Sequence, residues 1–136
     1  MRRLLVSFGV AMSCPAVVLA ADGIAVRRGA DSVVFGNCVP SLTVENNSDQ
    51  TIDYLQVDLA LSLPDGNRRV VELKSAYREG VLFPIAPGGR TMLKQHLDVS
   101  LPSGVACTDI RVRTVVRTIC ETRTGTDCAS HVMVQP

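Results

Sequence analysis

Residues 51–67 read Thr-Ile-Asp-Tyr-Leu-Gln-Val-Asp-Leu-Ala-Leu-Ser-Leu-Pro-Asp-Gly-Asn. Leu55, Val57, Leu59, Leu61 and Leu63 alternate with Gln56, Asp58, Ala60 and Ser62, so a strand here has an apolar face for a core and a polar face for water. The run ends in Pro64-Asp65-Gly66-Asn67, where Pro sets the turn's entry and Gly supplies a positive φ. A return strand from Arg68 to Lys74 completes a hairpin. The dominant period of the chain is therefore two.

The same period extends outward in both directions. Ser41 to Glu45 alternates Leu42 and Val44 with Thr43 and Glu45, then reaches the turn cluster Asn46-Asn47-Ser48-Asp49. Downstream, Arg90 to Val99 carries Leu93, Leu97 and Val99 inward, Asp109 to Glu121 carries Ile110, Val112 and Val116, and Cys128 to Val134 carries Val132 and Val134. With a short piece at Ser32 to Phe35, this makes about seven strands and no amphipathic helix of useful length. The fold class expected is all-β, an antiparallel sandwich of immunoglobulin-like or fibronectin III-like type.

The chain has 136 residues, 46% hydrophobic and 20% charged, which suits one domain with a single core. Its first twenty residues have the form of a cleaved export signal: Arg2 and Arg3, a mostly apolar stretch from Leu4 to Leu19, and small residues around Ala20. Ser7, Gly9, Ser13 and Pro15 interrupt that stretch, so it falls short of a membrane span of about 20 apolar residues. Ala11, Met12 and Ser13 are a poor lead for lipidation of Cys14. The expected organisation is a signal peptide over 1–20 and one domain over 21–136, periplasmic or secreted. Removing the signal leaves 12 basic against 13 acidic residues, a balance that speaks against nucleic acid as a partner.

Four cysteines then remain, Cys38, Cys107, Cys120 and Cys128, an even number suited to two disulfides in an oxidising compartment. Three pairings exist. A hairpin turning at Thr124 and Gly125 places Cys120 opposite Cys128, which leaves Cys38 for Cys107. No C-x-x-C pair occurs, which argues against zinc or a redox dithiol.

Three segments resemble small bacterial extracytoplasmic immunoglobulin-like or FxLYD-like modules: Leu42-Thr43-Val44-Glu45-Asn46-Asn47-Ser48, Leu63-Pro64-Asp65-Gly66, and Ile85-Ala86-Pro87-Gly88-Gly89 leading into Arg90 to Val99. The resemblance spans most of residues 38 to 100. It implies the fold and a noncatalytic interaction role, and transfers no functional residue. The Phe-x-Leu-Tyr-Asp motif itself is absent, the nearest stretch being Ile52-Asp53-Tyr54-Leu55.

Signals for catalysis are sparse. The two histidines, His96 and His131, take outward positions by strand parity, and no G-x-S-x-G, H-E-x-x-H or P-loop pattern occurs. Asp53 and Asp58 fall on opposite faces of one strand. No cofactor is expected. Two features suggest a contact surface for a protein partner. Arg111, Arg113 and Arg117 share the odd face of one strand, expected to point outward, with Arg123 in the following turn; such a row can grip carboxylates or remain a solvated sheet face. Val81-Leu82-Phe83-Pro84-Ile85 is an apolar loop, in which Leu82 and Phe83 are candidate contacts unless they tuck under the sheet. The reading is a binding or accessory module for an envelope or secreted protein, with a small secreted inhibitor or host-directed mimic as the alternative and an enzyme as a distant third.

Overall fold

The computed structural model describes residues 22–75, 77–78, 81–95 and 104–136. The segment expected to be a signal peptide, with Cys14, and His96, Leu97 and Val99 lie outside the described residues. Eleven strands are present: β1 Ile24–Arg28, β2 Ser32–Val34, β3 Asn37–Val39, β4 Ser41–Asn46, β5 Ile52–Ser62, β6 Arg68–Lys74, β7 Tyr77–Arg78, β8 Val81–Leu82, β9 Arg90–Gln95, β10 Val112–Thr122 and β11 Val132–Gln135. Short 3-10 turns at Cys107–Asp109 and Ala129–His131 are the helical elements among the described residues. The fold is all-β.

The residue 51–67 hairpin forms as its chemistry requires. Leu63 N–H donates to the Asn67 carbonyl at 2.9 Å, Asp65 Oδ1 accepts from Asn67 N–H at 2.9 Å, and Gly66 takes φ +82°. Strands β5 and β6 pair antiparallel from Gln56↔Lys74 to Ser62↔Arg68. Leu55, Val57, Leu59 and Leu61 are at most 1% exposed, and Val71 and Leu73 of β6 join them. Ile24, Val26, Leu42, Val44 and Leu93 complete the same core from β1, β4 and β9. Each such side chain contributes about 1.5–3 kcal/mol relative to an exposed position.

Seven strands form one sheet in the order β10-β5-β6-β9-β4-β1-β11. The expectation of a purely antiparallel arrangement is corrected here, because β1 pairs parallel with β11, Ile24 opposite Val132 and Arg27 opposite Gln135. Alternation identifies strands but not partners, and β1, only five residues long, occupies the place between β4 and β11. The sheet curls until its two edge strands meet at one end. Glu121 bridges to Asp127, Cys128 N–H donates to the Cys120 carbonyl at 3.1 Å, and the Cys120–Cys128 disulfide closes the corner. The result is nearly barrel-shaped rather than two separate packed sheets. The second disulfide, Cys38–Cys107, ties the small β2–β3 hairpin to the 3-10 turn preceding β10.

Candidate functional site

Strand β10 positions the arginines, and an irregularity within it decides where they point. Val115 lies opposite Leu59, but Arg117 lies opposite Asp58, so Val116 is an extra residue, a β-bulge. Before the bulge the odd residues share the core face with Leu59 and Leu61; after it the odd residues share the outer face with Asp58. The expected common outward face is therefore corrected. Arg113 points inward with its side chain 4% exposed, and its terminal nitrogens donate to Asp31 Oδ1 at 3.0 Å and Oδ2 at 2.5 Å. The expected inward residues Val112 and Val116 are instead about half exposed.

The other arginines occupy three further settings. Arg111 precedes the strand, donates its backbone N–H to the Ser62 carbonyl, and is exposed. Arg117 donates from Nε to Asp58 Oδ2 at 2.9 Å while its side chain remains 57% exposed. Arg123, in the β10–β11 turn, reaches Asp53 at 3.4 Å. Around Asp31, burial alone would raise the carboxyl's pKa, but hydrogen bonds and charge from Arg113, then from Arg28 at 3.2 Å, outweigh it and hold the pKa below the ordinary value.

On the outer face of β5, the residues assigned to water are covered. Gln56 and Asp58 are about 5% exposed or less. They form a chain in which Tyr54 Oη donates to Gln56 Oε1 at 2.5 Å and Gln56 Nε2 donates to Asp58 Oδ1 at 2.7 Å, Arg117 capping the far carboxylate oxygen. Glu72 and Lys74 of β6 sit opposite Asp58 and Gln56, paired to each other at 2.9 Å. The Glu72 hydrogen bond raises the Lys74 pKa against the opposing effect of burial. Buried polar groups require such partners. Here they are found within the face, and the terminal nitrogens of Arg117 are left without a partner among the described residues.

Beyond Arg117 this face becomes apolar. Thr114, Ala60 and Val70 stand side by side across β10, β5 and β6. Val70 is 55% exposed, and Val112 and Val116 of β10 are about half exposed. Strand β10 is also the sheet's edge. Successive strand residues turn their backbone groups to alternate sides, and the Cys120 carbonyl accepts from Cys128 N–H on the side away from β5, so Thr118 likewise turns its N–H and C=O away from β5. Among the described residues, no strand pairs with this second edge of β10 between Val112 and Ile119.

The apolar loop divides in the structure. Ile85 is buried and exchanges backbone hydrogen bonds with Ile52, Phe83 is 50% exposed, and Leu82 lies in β8 with its side chain outside the described atoms. His131 is exposed at the end of its 3-10 turn. Asp31 lies close to Cys38 and Cys107, but sulfurs joined in a disulfide offer no thiolate to a metal. Sequence patterning missed Phe35, at the tip of the β2–β3 hairpin. It takes φ +48° beside Gly36 at +76° and is 88% exposed. The Phe35-Gly36 pair was the signal that could have marked the turn.

No protein-family model matches the chain. No curated protein matches it either. Among solved structures, the chain is similar to IrmA from Escherichia coli, with a TM-score of 0.56 and 13% identity, over 83% of this chain and 91% of that one. At that identity the likeness concerns the strand-rich fold alone.

Proposed function

We propose that this chain is an exported, noncatalytic all-β binding module whose protein partner docks along the free edge of β10. The observation that carries this reading is an eleven-residue edge strand whose open side, from Val112 to Ile119, is flanked by half-exposed valines. Unpaired strand edges are templates for an added strand. The polar network beside the edge supports binding over chemistry, since its buried groups satisfy one another. Two disulfides, and the lack among the described residues of a helix able to cross a membrane, are compatible with export.

The test uses the C-terminally tagged chain as bait in an envelope extract, alongside a Val112→Lys, Val116→Lys double variant. Both positions are exposed, so the fold should hold, while lysine on an edge opposes strand addition. A protein recovered by the parent and lost by the variant supports edge docking. An identical set recovered by both refutes it.

A further inference from the structure

A projecting side chain and a cavity occupy opposite ends of the curled sheet. The β2–β3 hairpin sits where β10 begins, since Cys38 is bridged to Cys107 and Asp31 bonds Arg113, which lies opposite Leu61. At its tip Val33 is 66% exposed and Phe35 88% exposed. Phe35 takes a left-handed φ of +48°, a conformation uncommon for a bulky residue, and is held in it. Asn37 Nδ2 donates to the Phe35 carbonyl at 3.0 Å, and Gly104 N–H donates to Asn37 Oδ1 at 2.8 Å. A backbone already fixed has little freedom left to lose on binding. At the other end lies an open cavity of about 460 Å³, lined by buried Ile24, Ile52 and Cys128 and by exposed Asp22, Asp49 and Asp127. None of these three carboxylates is in an ion pair among the described residues.

Size and charge match the two features to each other. A cavity of about 150 Å³ already admits a benzene ring, so a phenyl group has room here. Exposed Arg28, Arg68, Arg69 and Arg111 gather at the hairpin end, outnumbering exposed Asp65 and Asp109, whereas the cavity is rimmed by acids. Ile52 and Leu61 lie near the two ends of β5, about 30 Å apart at the rise of a strand, which puts the cavity out of reach of the Phe35 of the same molecule. We infer that Phe35 of one copy seats in the Ile24–Ile52 cavity of the next, with the arginines around the hairpin facing the aspartates around the cavity. Such a contact joins two different surfaces and leaves a free tip and a free cavity at every stage, so the chain assembles head to tail. This surface is separate from the β10 edge.

The test follows the mass of the untagged chain by analytical ultracentrifugation as its concentration rises. The parent is expected to grow past the dimer and to associate at least ten-fold more weakly in high salt. Phe35→Asn, which removes the tip, and Asp22→Lys with Asp49→Lys, which reverses the rim at two exposed positions, should each stay monomeric. Mixed together, these two variants should form a dimer and nothing larger, because one still has a cavity and the other still has a tip. A parent that is monomeric up to about 1 mM, weaker than the weakest specific contacts of interest, overturns the inference. So does a mixture that remains monomeric, a parent that stops at the dimer, or association that Phe35→Asn leaves unchanged. Self-association lost in Val112→Lys with Val116→Lys but kept in Phe35→Asn would assign it to the β10 edge instead. A monomeric parent that binds phosphatidylglycerol vesicles only when Phe35 is present would give the tip to lipid.

Discussion

Replacing Arg113 by Gln tests whether the bulge at Val116 turns this arginine into the protein. The side chains of Arg113 and Asp31 are 4% and 13% exposed and joined by two hydrogen bonds. Breaking a buried ion pair by removing one partner costs about 3–5 kcal/mol, because the remaining charge is stranded. Arg28 still reaches Asp31, but with its side chain 57% exposed it offsets no more than about 1 kcal/mol. The expected loss is therefore about 2–4 kcal/mol, a fall in Tm of roughly 10–15 °C for a domain of this size. Thermal unfolding followed by circular dichroism should show this drop, whereas exposed Arg111→Gln should stay within about 0.5 kcal/mol of the parent. A double-mutant cycle with Asp31→Asn should return a coupling above about 1 kcal/mol. Acid supplies a further check. Because the folded-state pKa of Asp31 is lowered, its stabilising contribution is present above the unfolded value of about 3.9 and disappears as pH falls below it. The gap between parent and Arg113→Gln should accordingly narrow at low pH. A Tm for Arg113→Gln at neutral pH equal to that of Arg111→Gln would refute the inward placement.

Other perturbations have equally definite outcomes. Removing the Cys120–Cys128 bridge, with its sequence separation of 8, by a double Ala substitution should cost about 2.5 kcal/mol and speed amide exchange in β11; loss of Cys38–Cys107, with a separation of 69, should cost about 4 kcal/mol in denaturant titrations. Phe35→Asn should raise stability by about 0.5–1 kcal/mol, since asparagine tolerates positive φ and an 88% exposed ring has little packing to lose; a lower Tm would mean that the ring is held. Asn46 is fully buried, donating to the carbonyls of Gln50 and Ile85 while accepting from Ser48, so Asn46→Ala should destabilise by about 2–3 kcal/mol in urea titrations. Asn46→Asp, unable to donate to either carbonyl when ionised, should lower the midpoint at least as far at neutral pH.

Where a strand was regular, its role was legible in the sequence. Arg68–Lys74 runs between the limits expected for it, and Leu55, Val57, Leu59 and Leu61 of β5 are buried, because strict alternation fixes a face once the turn fixes the partner. The arginines defeated the same logic. A single extra residue, Val116, reverses inside and outside for everything beyond it, and no local composition announces a bulge that the partner strand determines. Asp58 and Gln56 were misjudged for a related reason: their neighbours on this face come from other strands, Arg117 bonding Asp58 from 59 residues away in sequence and Lys74 standing opposite Gln56. The edge character of β10 was illegible for the same cause, since the parallel β1–β11 pair that ends the sheet opposite it joins segments over a hundred residues apart.

That parallel pair also governs how the molecule bears tension. Asp22 enters β1 beside the start of β11, and Pro136 leaves β11 beside the far end of β1. A pull between those two residues drags the strands lengthwise past each other, so the bonds joining Ile24 through Arg27 to Val132 through Gln135 are strained together instead of being peeled off singly. Strand β1 is held on its other side by β4 over Ile24 to Arg28, which must slip as well. Forced unfolding is set by the height of that first barrier. A molecule fixed by one end and tugged by the other would accordingly yield at higher force than one pulled apart between Gln56 and Lys74, which face each other at the open end of the β5–β6 hairpin, where the bonds open one by one.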